Sequence, residues 1–174
     1  MRSTYSRTTR SRSLIVAAAL AALGAPAGAQ DIPREGSFDG RWDVVGKAQR
    51  IELGGERTVT VAKFEGAIVL TGQARGLSRG FRAECVGLQD QKTGGFGRCV
   101  WRDRFDHEIW SEIESDSPGS GSARKSRGKM VGGTGKFEGI SGEFEFDWVY
   151  MAPASGEGNV RGYATQIAGS WKLP

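Results

Sequence analysis

Apolar and polar residues alternate with a period of two along most of the chain beyond residue 37. The stretch from Gly142 to Tyr150 is the clearest: Phe144, Phe146, Trp148 and Tyr150 fall on one side, Glu143, Glu145 and Asp147 on the other. Such a period predicts strands with one face turned to a core. Arg41 to Ala48 begins one, with Trp42 and Val44 together. Thr58 to Leu70 places Val59 with Val61, then Phe64 with Gly66, Ile68 and Leu70. Glu108 to Glu114 sets Ile109, Ser111 and Ile113 against charged residues and Trp110. Arg124 to Val131 is polar and predicts an exposed strand, and Asn159 to Leu173 predicts the last strand or two. Ser115 to Ser122 and Ala152 to Gly158, rich in Ser, Gly, Pro and Asp, read as connections. No stretch carries a convincing helical period. About eight short strands at regular spacing predict an all-β antiparallel barrel or sandwich. Closure into a barrel also removes the edges a sandwich must protect.

The cysteines sharpen one hairpin. If Cys85 faces Cys99, then Ala83 faces Trp101 and Gly87 faces Gly97, and the turn falls on the polar run Asp90 to Gly94. A C-x-x-C spacing, which would favour redox chemistry, is absent, so a structural disulfide is expected.

Residues 1–29 differ from the rest. Arg2, Arg7, Arg10 and Arg12 precede the apolar run Leu14 to Leu23, and Ala27-Gly28-Ala29 follows Pro26. This is the order of an export signal, and the run is shorter than the roughly 20 residues a membrane helix needs. The expected organisation is a signal peptide over 1–29, a flexible lead-in over 30–37 and a barrel domain over 38–174. A periplasmic or secreted location is expected, with no membrane span after cleavage. The chain has 24 Lys and Arg against 20 Asp and Glu, and the four signal arginines account for the excess. The remainder is formally neutral, without the basic surplus of a nucleic-acid binder. Of the 27 glycines only Gly24 and Gly28 lie in the signal, and their density elsewhere reads as tight turns between strands.

Motifs for catalysis and metal binding are missing. Gly135-Lys136 is followed by Phe137, with Met130 where a P-loop needs its first glycine, and Glu138 breaks a dinucleotide fingerprint. The sole histidine, His107, sits between Asp106 and Glu108 and is expected at a solvated turn. No serine occupies a nucleophile elbow, and too few His and Cys remain for zinc. The Glu143, Glu145, Asp147 row lacks a second acidic cluster for calcium and reads as an outer face. No catalytic residue, metal or cofactor is assigned. The aromatic residues Trp42, Trp101, Trp110, Phe144, Phe146, Trp148 and Tyr150 either fill the core or line a ligand cavity.

The segment Val131-Gly-Gly-Thr-Gly-Lys-Phe-Glu-Gly-Ile-Ser-Gly142, followed by an aromatic strand, resembles the signature of the dirigent and allene-oxide-cyclase-like barrel proteins, which include small secreted bacterial members. Asp106-His-Glu-Ile-Trp110 is similar to the acidic turn and strand that precede it there. The resemblance implies a single eight-stranded antiparallel β-barrel with a central cavity, dimers or trimers, and in some members cyclisation of small hydrophobic molecules. Gly40-Arg-Trp42 resembles, more weakly, the Gly-x-Trp of lipocalin- and avidin-type barrels, which would make the fold calycin-like.

The first functional expectation is a non-catalytic exported barrel that binds a small apolar molecule or a protein partner. The alternatives are a cyclase or isomerase, with Glu65, Glu112 and Tyr150 as loose acid or base candidates, and an oligomeric envelope component. A catalytic site of that kind would need an ionisable group of perturbed pKa inside the barrel.

Overall fold

The computed structural model describes residues 32–55, 57–71, 77–116, 123–151 and 158–174. The expected export signal and its cleavage point lie outside the described residues, as does most of the Ala152 to Gly158 connection. Eight strands follow in order: β1 Glu35–Glu52, β2 Thr58–Thr71, β3 Gly80–Asp90, β4 Gly94–Arg102, β5 Glu108–Ser115, β6 Ala123–Gly133, β7 Ser141–Met151 and β8 Asn159–Lys172. Each pairs antiparallel with its sequence neighbour, and β8 pairs with β1. The result is a closed eight-stranded antiparallel β-barrel, the barrel rather than the sandwich of the two architectures that the alternation allows. The only helical element among the described residues is a 3-10 turn, Gly135–Phe137.

Several boundaries shift. β1 starts at Glu35 rather than Arg41, because Glu35, Gly36 and Ser37 pair with Lys172, Trp171 and Ser170. The end of the expected lead-in is therefore strand. β6 is not an exposed strand: Ser126, Gly128 and Met130 turn inward and are buried, while Lys125, Arg127 and Lys129 face solvent. The single continuous β8 has one extra residue against both neighbours, with Gln166 at φ 56°. This bulge inverts the inward phase, so Ala164 and Ile167 are both buried although three positions apart.

The barrel interior is divided in two. At the end that holds the β2–β3, β4–β5 and β6–β7 connections, Leu77, Phe137 and Ile140 descend from the loops onto Phe38, Phe81, Trp101 and Trp171. Ring centroids of Phe81 lie 5.9 Å from Trp101 and 5.7 Å from Phe137, and Trp101 meets Phe144 edge-on at 5.2 Å. This end is plugged. Two inward glycines make room for rings of β7: a Cβ on Gly128 would overlap Phe144, and one on Gly162 would overlap Trp148. Glycine therefore serves the interior as well as the turns.

The resembling segment has a mechanical explanation. Gly132, Gly135 and Gly139 adopt positive φ of 146°, 59° and 71°, which side chains disfavour. Thr134 is clipped to β5 twice: its N–H donates to the Glu108 carbonyl at 2.9 Å, and its Oγ1 accepts from the Glu108 N–H at 3.0 Å. Lys136 reaches the buried Asp103 carboxylate at 2.8 Å, which also accepts from the N–H groups of Phe105 and His107. Burial raises the Asp103 pKa, but these donors outweigh it and hold the carboxyl below its ordinary value. His107 is half-buried rather than solvated, edge-on to Phe137 at 6.2 Å, with Nδ1 3.4 Å from Asp103. The glycine run and the acidic turn together lock two loops over the plug.

Candidate functional site

The opposite half of the barrel, toward the turns that join β1 to β2 and β3 to β4, contains a cavity of about 80 Å³. Its floor is buried: Trp42, Phe146 and Trp148 are 5 to 7 % exposed, as are Cys85 and Cys99. Its rim is half-exposed and includes Thr60, Gln89, Ser115, Arg124 and Tyr150. The cavity exists because the inward positions of β3 and β4 at this level are small. Gly87 lies opposite Gly97, and Cys85 lies opposite Cys99 with their Cα atoms 4.1 Å apart and their sulfurs bonded. Opposite them β7 supplies large rings, which leaves a gap between a thin wall and an aromatic one.

The aromatic wall is continuous. Trp42 and Trp148 have centroids 5.4 Å apart, Phe64 lies 5.5 Å from Trp148, and Tyr150 meets Trp148 edge-on at 5.6 Å. Arg124 lies directly across the β6–β7 pair from Trp148 and holds its guanidinium 5.0 Å from the Tyr150 ring centroid. Ser115 and Ser126 satisfy each other, Oγ to Oγ at 2.8 Å.

Three N–H donors in this lining are buried without an acceptor among the described residues: Trp42 Nε1, Trp148 Nε1 and Arg124 Nη1. A buried donor left unpaired costs about 1–3 kcal/mol, more if charged. Arg124 forms no ion pair among the described residues. Among the described lining residues Arg124 and Tyr150 are the only ionisable side chains, with neither a carboxylate nor an imidazole.

The aromatic candidates divide. Trp42, Phe146, Trp148 and Tyr150 line the cavity. Trp101 and Phe144 belong to the plugged half, with Phe144 stacked on Phe146 at 6.1 Å. Trp110 faces outward, 43 % exposed, with Nε1 donating to Glu108 Oε2 at 2.9 Å. Its place as a lining residue is corrected by the strand period, which turns Ile109 and Ser111 inward on either side of it. Of the acid or base candidates, Glu65 pairs with Lys63 at 2.8 Å and Glu112 with Arg98 at 3.2 Å, both on the outer wall; only Tyr150 reaches the cavity. Glu143 and Glu145 are solvent-facing, as expected, and no cluster of metal-ligating side chains occurs among the described residues. Arg124, Gln89 and Thr60 were not legible as lining residues, although Arg124 shares the inward period of Ser126, Gly128 and Met130.

Fold and site together define a small closed barrel, plugged at one end and holding an aromatic-walled cavity at the other. No protein-family model, curated protein or solved structure matches the chain.

Proposed function

We propose that this chain is an exported, non-catalytic barrel protein that binds a small, largely apolar molecule in the cavity walled by Trp42, Phe64, Phe146 and Trp148. The observation that carries this reading is the aromatic cavity itself, with a buried floor and a half-exposed polar rim. The lack of a carboxylate or imidazole among the described lining residues favours binding over acid–base chemistry. The Cys85–Cys99 bond suits an oxidising compartment, and with the N-terminal pattern it supports a periplasmic or secreted location. Charged side chains on the outer faces, such as Lys63, Glu65, Arg98 and Glu112, favour a barrel surrounded by water over one surrounded by lipid. The likeness of the Gly132 to Gly142 segment to dirigent and allene-oxide-cyclase-like barrels is compatible with this reading.

The test is a calorimetric titration with toluene, a neutral apolar molecule of a size suited to a half-open cavity of this volume. Saturable one-to-one binding is expected, lost in Trp148→Ala and kept in Trp110→Ala, with both variants folded by near-ultraviolet circular dichroism. Absence of saturable binding, or equal loss in both variants, would sink the reading.

A second reading rests on the outer wall. Val86, Trp110 and Val131 are 56 %, 43 % and 52 % exposed and border one groove across β3 to β6. Such a row suits association with a second copy of the chain. Native mass spectrometry would show a dimer or trimer that Trp110→Glu dissociates.

A further inference from the structure

We infer that the cavity recognises a carboxylate, and that Arg124 with the indole N–H groups of Trp42 and Trp148 forms the anchor for it. This rests on the proposed binding at the same cavity and names the head group of its ligand. The register puts the three donors in one row across four strands: Trp42 of β1 and Trp148 of β7 both pair with Ala164 of β8, and Trp148 pairs with Arg124 of β6. All three side chains line one cavity, and each keeps a buried N–H without an acceptor among the described residues. Trp42 and Trp148 are more than nine-tenths buried, so water reaches their indole nitrogens poorly.

The sign of the missing partner follows from this set. The orphaned groups are all donors, and one carries a full positive charge. The Arg124 guanidinium lies over the Tyr150 ring, 5.0 Å from its centroid, a contact that holds the cation without supplying an acceptor to its N–H groups. A carboxylate is planar and accepts at two oxygens, and guanidinium pairs with it in two-pronged fashion. The aromatic wall would take the apolar remainder of such a molecule. A neutral apolar ligand would leave the donors unpaired, and an amine would add a like charge beside Arg124.

The experiment compares octanoate, octan-1-ol, octylamine and octane-1-sulfonate by calorimetry and tryptophan fluorescence. Octanoate is expected to bind at least about tenfold more tightly than octanol, and octylamine most weakly. Arg124→Met should abolish the preference for octanoate over octanol, while Arg124→Lys should retain part of it. The thermal midpoint of each variant reports folding. Glu157, whose position lies outside the described residues, is the carboxylate of the β7–β8 connection. Glu157→Gln should leave octanoate affinity unchanged; a gain would make Glu157 the native partner of Arg124 and overturn the inference. Equal affinity for octanoate and octanol would overturn it and leave the cavity reading standing. Tighter binding of the sulfonate would overturn the carboxylate assignment. Failure of every probe would overturn both readings.

Discussion

Trp42 and Trp148 stand on either side of Ala164, their ring centroids 5.4 Å apart, and Ala164 itself is fully buried. With no exposed surface at Ala164, a larger side chain there must displace a packed neighbour. Ala164→Leu is expected to lower stability by about 1–3 kcal/mol through overpacking. Urea unfolding of the two proteins checks this; an unchanged midpoint would mean the rings have space to part.

The Cys85–Cys99 bond links directly opposed residues of β3 and β4 and forms part of the cavity wall. Replacing both by serine should cost about 3 kcal/mol in the chain-entropy description of a loop this short. The same loss should follow when the wild type is unfolded under reductant, and reductant should leave the double variant unaffected.

Ser111 is 1 % exposed, and its Oγ has no partner among the described residues. Removing an unpaired hydroxyl relieves its desolvation, so Ser111→Ala is expected to be neutral or stabilising by up to about 1 kcal/mol. A loss of stability in thermal unfolding would show that the hydroxyl is paired in solution.

Asp90 closes the β3–β4 turn, accepting from the N–H of Lys92 at 2.8 Å and from the Arg57 guanidinium. Its hydrogen bond from Arg57, followed by that from Lys92, lowers its pKa from 3.8 to about 2. Because the folded value is the lower one, the contribution is complete above the ordinary carboxylate range and is lost as pH falls toward 2. Asp90→Asn should therefore be less stable than wild type at pH 7, with the difference shrinking between pH 4 and pH 2. Unfolding midpoints across that range give the comparison; a constant difference would remove the ionic part of the explanation.

Strand positions were legible because alternation and fold agree over β5, β7 and the second half of β2, and the facing cysteines set the β3–β4 register by themselves; in the first half of β2, Val61 is 44 % exposed while Thr60 and Ala62 turn to the cavity. Sequence reasoning weakened where a single residue breaks the period. The bulge at Gln166 shifts the inward set of β8 from Val160, Gly162 and Ala164 to Ile167, Gly169 and Trp171, which blurs any count by twos. β6 misled for a different reason: its inward residues Arg124, Ser126 and Gly128 are polar or small, so composition hid a buried face. Trp110 misled because an aromatic side chain was weighed by type, although Ile109 and Ser111 already turned it outward. The cavity was half legible. Its aromatic wall is written in β7, whereas its volume depends on Gly87 and Gly97 facing each other across a hairpin, a property of two strands together.

Seven of the eight seams join consecutive strands, but the eighth joins the first to the last, Glu35 to Lys172. Leu173 and Trp171 fasten that seam further, with the Leu173 N–H donating to the Arg34 carbonyl at 2.6 Å and Trp171 Nε1 to that of Pro33 at 3.3 Å. Closure therefore waits until β8 has been made, and it brings together the two strands of the barrel farthest apart along the chain, the slowest kind of contact to form. Until the 14 residues of β8 arrive, β1 and β7 remain two open edges of a curled sheet, ready to pair with any other strand. A cell making this protein must keep those edges apart for the whole interval, and a chain cut short before β8 is an aggregation hazard rather than a weakened barrel.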